Sequence, residues 1–215
     1  MDKKKMTGKL LTKLQEHNGW GCSHSVRVSS YAVGIGKYLG LNEDSIDELF
    51  TAALLHDIGK LFIPARLLDK TGVLTKAEFQ LIKCHIWCGY LLLKVLGYSE
   101  EICKAVWNHH ERYDGKGYRK KKKAGLLAEI ICVADAYDAM NYSRPYRKGM
   151  DRAEIYCAME TGSGKQFAPA VWQAMAHLLF QEKDFTQKTK AMLETEIEEN
   201  AEYLLSGNVY SSGHA

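Results

Sequence analysis

The stretch that decides the fold is Ile46-Asp47-Glu48-Leu49-Phe50-Thr51-Ala52-Ala53-Leu54-Leu55-His56-Asp57-Ile58-Gly59-Lys60. Its apolar residues Ile46, Leu49, Phe50, Ala53 and Leu54 recur at the three- and four-residue spacing that lines one face of a helix. Asn42 stands where a helix N-cap belongs, and Gly59 where a helix stops. A helix here therefore carries His56 and Asp57 near its C-terminal end. The same period recurs almost everywhere along the chain, and no convincing alternating strand appears, so the fold class is all-α.

Working outward, a first helix covers Lys4 to about His17 and is broken at Asn18-Gly19. A second runs from about His24 to Tyr38. Thr75-Lys76-Ala77-Glu78 has capping-box spacing and starts a helix that carries Phe79, Ile82, Ile86 and Leu91 inward and ends near Gly97. Ser99 caps a shorter helix that reaches His109 and His110. Asp114-Gly115-Lys116-Gly117 is a turn by composition. Further helices run from about Leu126 to Met140, from Asp151, and around Pro169. The C-terminal stretch, about Asp184 to Leu205, is amphipathic and acidic, and would pack on the core or form a dimer contact.

The chain has 215 residues, 46% of them hydrophobic, with three prolines and no Pro/Gly/Ser-rich linker. That supports one compact body: an N-terminal helix over residues 1–19 packing on a catalytic domain over 20–182, then a helix and tail over 183–215. A net charge of +3 is too mild to argue for nucleic-acid or membrane binding, and neither DNA nor a membrane is an expected partner. No apolar stretch is long enough for a bilayer and the N-terminus is not signal-like, so the expected location is the cytoplasm. The six cysteines show no CxxC spacing and most read as small buried hydrophobes, with Cys84 and Cys88, one helical turn apart beside His85, as the alternative of a thiolate metal site.

The histidines matter for their company. His24, His56, His109 and His110 fall at or near predicted helix ends or polar turns, and His85 falls in mid-helix. With Asp57 and Asp135 they make seven candidate ligands from separate segments. Imidazole and carboxylate suit divalent iron or manganese, and a carboxylate can bridge two ions that clamp a phosphoryl group. Asp135 lies in the apolar run Ile130-Ile131-Cys132-Val133-Ala134, where an ionised carboxylate is costly without a partner. Adjacent helical positions diverge by about 100°, so His109 and His110 reach one site only across a helix end.

The words His56-Asp57-Ile58-Gly59-Lys60, His109-His110-Glu111-Arg112-Tyr113-Asp114-Gly115-Lys116-Gly117-Tyr118, Val133-Ala134-Asp135-Ala136-Tyr137-Asp138 and Arg144-Pro145-Tyr146-Arg147, in this order after His24 and with His85 between the first two, resemble the HD superfamily and its HD-GYP branch. The resemblance covers roughly residues 20 to 180. It implies a helical bundle around a bimetal site and a phosphodiesterase opening cyclic di-GMP to linear pGpG and/or GMP. It further implies that His24, His56, Asp57 and Asp135 hold one ion, and that Asp57 bridges to a second held by His85, His109 and His110. Lys60 would meet the phosphate, with Arg112, Tyr118, Arg119, Arg144 and Arg147 as substrate contacts; Arg144 or Arg147 would alternatively lock the loop on Asp114 or Asp138. Glu111, Asp114 and Asp138 would orient histidines or arginines. A homodimer, and a diguanylate cyclase or sensor-domain partner, go with that reading.

Three departures stand out. The motif that names the branch ends here in Gly117-Tyr118-Arg119, followed by Lys120–Lys123. That makes another nucleotide, such as cyclic GMP-AMP, the alternative substrate, and a non-catalytic nucleotide- or partner-binding module the alternative class. Trp20 stands where members with a third ion carry glutamate, which implies two ions. Phe167-Ala168-Pro169 lacks the aspartate usual before the proline, weakening a helix cap.

Overall fold

A computed structural model describes residues 3–17, 19, 21–120, 124–142 and 149–180. Ten helices form in this part of the chain: α1 Lys3–His17, α2 Gly21–Tyr38, α3 Glu43–Leu55, α4 Ala65–Leu68, α5 Lys76–Lys83, α6 His85–Val95, α7 Glu100–Asn108, α8 Leu126–Asn141, α9 Arg152–Gly162 and α10 Pro169–Phe180. A 3-10 turn, Ile58–Phe62, follows α3. Among the described residues there is no strand, only one isolated bridge between Ser163 and Phe167. The all-α expectation is borne out. No described helix is long and apolar enough to cross a membrane.

The caps read from the sequence are in place. The Asn42 side chain accepts from the Ser45 amide, Ser99 accepts from the Ile102 amide, and Thr75 with Glu78 closes a reciprocal capping box. Asp151 and Glu154 close a second. Pro169 opens α10 at the first helical position, where a missing amide proton costs nothing.

α2 forms the axis of the bundle and packs on α3, α8, α1 and α10. It buries Val26, Val28, Ala32 and Ile35, and α8 answers with Ile130, Ile131, Val133 and Ala134. Small residues set the close approaches that matter for the site. A Cβ on Gly59 would lie 1.9 Å from the His85 carbonyl oxygen and 2.5 Å from the Gly89 amide nitrogen. The turn after Asp57 is thus pressed directly on the start of α6.

The single helix expected from Thr75 to about Gly97 is two helices, parted at Cys84. The carbonyl of Ile82, which a continuous helix would offer to residue 86, accepts the His85 imidazole at 2.8 Å instead. His85 is consequently the first residue of α6, not a mid-helix position. The break also reorients the apolar face: Ile86 is buried and Ile82 half-buried, but Phe79 and Leu91 are each 41% exposed. α5 buries no residue and forms a rim. The 3-10 turn and the short α4 were not foreseen. The expected helix at Asp184 to Leu205 lies outside the described residues, as do Trp20, Arg144 and Arg147.

Candidate metal centre

Two helices end on a histidine and a third begins on one, just past the end of its neighbour. His56 closes α3, His109 closes α7, and His85 follows the last turn of α5. Helix ends leave carbonyls without amide partners. Each histidine uses one: the Nδ1–H of His56 donates to Ala53, that of His85 to Ile82, and that of His109 to Val106, at 2.7–2.8 Å. The shared spacing of three residues fixes one tautomer in all three rings. Every Nε2 lone pair is left as an acceptor and turned toward the interior.

His24 comes from α2 and is held from behind by a carboxylate. Its Nδ1–H donates to Asp138 Oδ2 at 2.7 Å, and Asp138 is gripped by Arg27 at 2.7 and 2.9 Å. Its Nε2 lies 3.1 Å from Asp135 Oδ1 and 3.9 Å from Asp57 Oδ2. Asp57 reaches two ways: Oδ2 is 3.4 Å from His56 Nε2 and 2.5 Å from the Lys60 ammonium, while Oδ1 is 3.5 Å from His85 Nε2. His110 follows the end of α7 and stacks on His109, so the helix end does bring both imidazoles to one site.

The seven candidate ligands therefore meet. His24, His56 and Asp135 place one ligand atom each within 4.8 Å of one another, as do His85, His109 and His110. His56, Asp57 and His109 form a third such set between them. Burial is nearly complete for four of them, with His56 and His109 0% exposed, His85 1% and Asp57 3%, while His110 and Asp135 are partly exposed.

The donor set fits a cation. The His56 Nε2 is buried without a hydrogen-bond partner. The Nε2 atoms of His85 and His109 face each other at 3.4 Å, both with their protons committed on Nδ1. Lone pairs so placed repel unless a positive charge sits among them. Burial drives His109 and His85 below the ordinary imidazole range, and takes His110 to about 3, keeping these rings in the neutral ligand form. Burial would raise Asp57, but Lys60 and His56 hold it well below the carboxylate range. For His24 burial pulls down, yet Asp135 and Asp138 prevail and lift it to about 9.

The substrate-side expectations divide. Tyr118 stacks on His110 with ring centroids 4.6 Å apart, beside the centre. Arg112 is engaged by Asp114 at 3.0 and 2.8 Å. Arg119 is not presented to the centre as a free cation: its guanidinium lies 3.5 Å from the Trp107 ring centre and donates to Asn108. Its backbone amide donates to Glu111 Oε1 at 2.6 Å, so Glu111 anchors the loop backbone rather than a histidine. Asp114 and Asp138, the expected partners for a loop lock by Arg144 or Arg147, already pair with Arg112 and Arg27.

Sequence reasoning missed Arg27. It lies three residues after His24 on α2, on the same face, and that spacing is the signal that would have found it. Asp138 is 1% exposed, so Arg27→Met strands a buried carboxylate. The expected loss is about 3 kcal/mol in urea unfolding, with metal affinity weakened about tenfold or more through the misheld His24.

Residues 10–171 match the family described as HD domain. The chain is 37% identical over 171 residues to a cyclic di-GMP phosphodiesterase of Thermotoga maritima, covering 76% of this chain and 45% of that protein. It is 34% identical over 135 residues to 3'3'-cGAMP-specific phosphodiesterase 1 of Vibrio cholerae, covering 61% and 31%. The chain thus spans less than half the length of these curated relatives. Among solved structures, Bd1817, an HD-GYP-type protein of Bdellovibrio bacteriovorus, superposes with a TM-score of 0.61 at 20% identity, over 81% of this chain and 61% of that one. That likeness shows the fold.

Proposed function

Because the chain belongs to the HD-domain family, we propose that it is a metal-dependent phosphodiesterase that opens cyclic di-GMP to linear pGpG and/or GMP. The observation that carries this reading is Asp57, buried between two trios of ligand atoms with one oxygen toward each. His24, His56, Asp57 and Asp135 would hold one divalent ion, iron or manganese. Asp57, His85, His109 and His110 would hold the second. Such a pair, when bound, supplies Lewis acidity toward the phosphoryl oxygens and a more acidic water.

The chain's own residues do the rest. The carbonyl bonds to Nδ1 of His56, His85 and His109 keep these rings from turning, so the ligand atoms stay preorganised. Asp138 does the same for His24. Lys60, beside Asp57 and about one quarter exposed, can leave the carboxylate for the phosphate and offset charge developing in the transition state. Tyr118 walls one side of the centre over His110.

The test is turnover. Protein loaded anaerobically with iron or manganese is expected to convert cyclic di-GMP, followed by chromatography. No conversion with either metal at full occupancy would sink the reading. A second substrate, cyclic GMP-AMP, is favoured by one observation: Arg119 stands where the motif has proline and is held on Trp107 and Asn108, directly after Tyr118. The same assay with both dinucleotides separates the two.

A further inference from the structure

We propose that Lys83, with Phe79 and Tyr118, forms a subsite at the rim of the metal centre that takes the second phosphate of the dinucleotide, the one not being cleaved. This rests on the phosphodiesterase reading above and extends it to how the substrate is held.

A cyclic dinucleotide carries two phosphodiester anions, and the metal centre can neutralise only the one under attack. The other needs a cation, because leaving it desolvated and unpaired is costly. Among the described residues, four cations at or near the centre are already committed. Lys60 pairs with Asp57, Arg27 with Asp138 and Arg112 with Asp114, and Arg119 is clamped on Trp107 and Asn108. Lys83 is different. Its ammonium lies 4.7 Å from the Phe79 ring centre and 4.6 Å from that of Tyr118, and among the described residues no carboxylate forms an ion pair with it. Ring faces hold a cation in place without cancelling its charge. A lysine so held is a point charge available to a phosphate.

Tyr118 touches Lys83 on one side and stacks on His110 on the other, with 4.6 Å between the two ring centres. Lys83 is therefore one aromatic ring away from the proposed ligands. Lys83 and Phe79 are one turn apart on α5, so they share a face. α5 itself is braced at its start by the Thr75–Glu78 capping box and by Lys70, whose ammonium reaches both Glu78 oxygens at 2.7 and 2.8 Å. α5 has no core to serve, since none of its residues is buried, yet it displays Phe79 at 41% exposure next to Tyr118, with 6.2 Å between the ring centres. The Phe79 ring is a platform for a nucleobase, a use that needs no sequence-specific hydrogen bonds.

The experiment compares two substrates on the metal-loaded full chain: cyclic di-GMP, with two phosphates, and bis(4-nitrophenyl) phosphate, a diester with one. Lys83→Met keeps the apolar stem against both rings and removes the charge. It is expected to raise KM for the dinucleotide about tenfold with little change in kcat, and to lower the ratio of kcat/KM between the two substrates by a similar factor. Lys83→Arg, which restores the charge, is expected to recover most of that ratio. If the ratio does not move in Lys83→Met, whether both substrates suffer alike or neither does, the subsite is wrong while the phosphodiesterase reading stands. If the wild-type chain neither binds nor opens a cyclic dinucleotide, both fall together.

Discussion

Asp57→Asn is expected to lower kcat for phosphodiester hydrolysis by about a thousandfold or more, while the far-ultraviolet circular dichroism of the folded chain stays unchanged. The amide matches the carboxylate in volume, so the packing around a residue 3% exposed survives. What disappears is the charge and the second equivalent oxygen. In the wild-type chain Oδ2 faces His56 and His24, and Oδ1 faces His85; an asparagine turns a donor nitrogen toward one of these sides. Lys60 loses its partner too, but at about one quarter exposure it can turn to water. Steady-state kinetics on metal-loaded protein, with dichroism as the fold check, reads both halves of the expectation. A rate near that of wild type would show that Asp57 does not join the two halves of the centre.

The second large effect is on stability. Gly59→Ala places a methyl group 1.9 Å from the His85 carbonyl oxygen, 2.5 Å from the Gly89 nitrogen and 2.8 Å from the His85 carbonyl carbon. All three are backbone atoms, so no flexible side chain can swing aside. Relief requires the turn at Ile58–Phe62 to back away from α6. The expected cost is about 3 kcal/mol in urea unfolding. Activity should fall further than stability alone implies, because that contact also sets Asp57 against His85. Gly8→Ala serves as the comparison, since a Cβ there meets nothing within 4 Å, and it is expected to be neutral or slightly stabilising. A loss below about 1 kcal/mol for Gly59→Ala would mean that the close approach is not rigid.

Much of this fold was legible because its signals are local. Asn42, Thr75 with Glu78, Ser99 and Asp151 cap helices through bonds spanning three residues, and such spacing can be read directly. The apolar period in α3 was equally plain. The candidate ligands were legible for another reason: imidazoles and carboxylates beside helix ends or inside apolar runs need partners, and one site satisfies them together. What stayed hidden is decided between segments. The break at Cys84 depends on His85 turning its imidazole onto Ile82 to face Asp57, which no window of helical periodicity records. Arg119 looked like a cation offered to substrate; its stacking on Trp107 depends on how α7 lies beneath the loop. Phe79 looked like core, and only the rotation of the separate α5 shows it as rim.

In the reading proposed above, seven residues build one centre for two ions, joined through Asp57. Metal content after anaerobic loading and removal of loose metal, measured by elemental analysis, tests it most directly. Two iron or manganese ions are expected per wild-type chain, and fewer in Asp57→Asn. One ion or less in the wild-type chain, or two retained in Asp57→Asn, would contradict it.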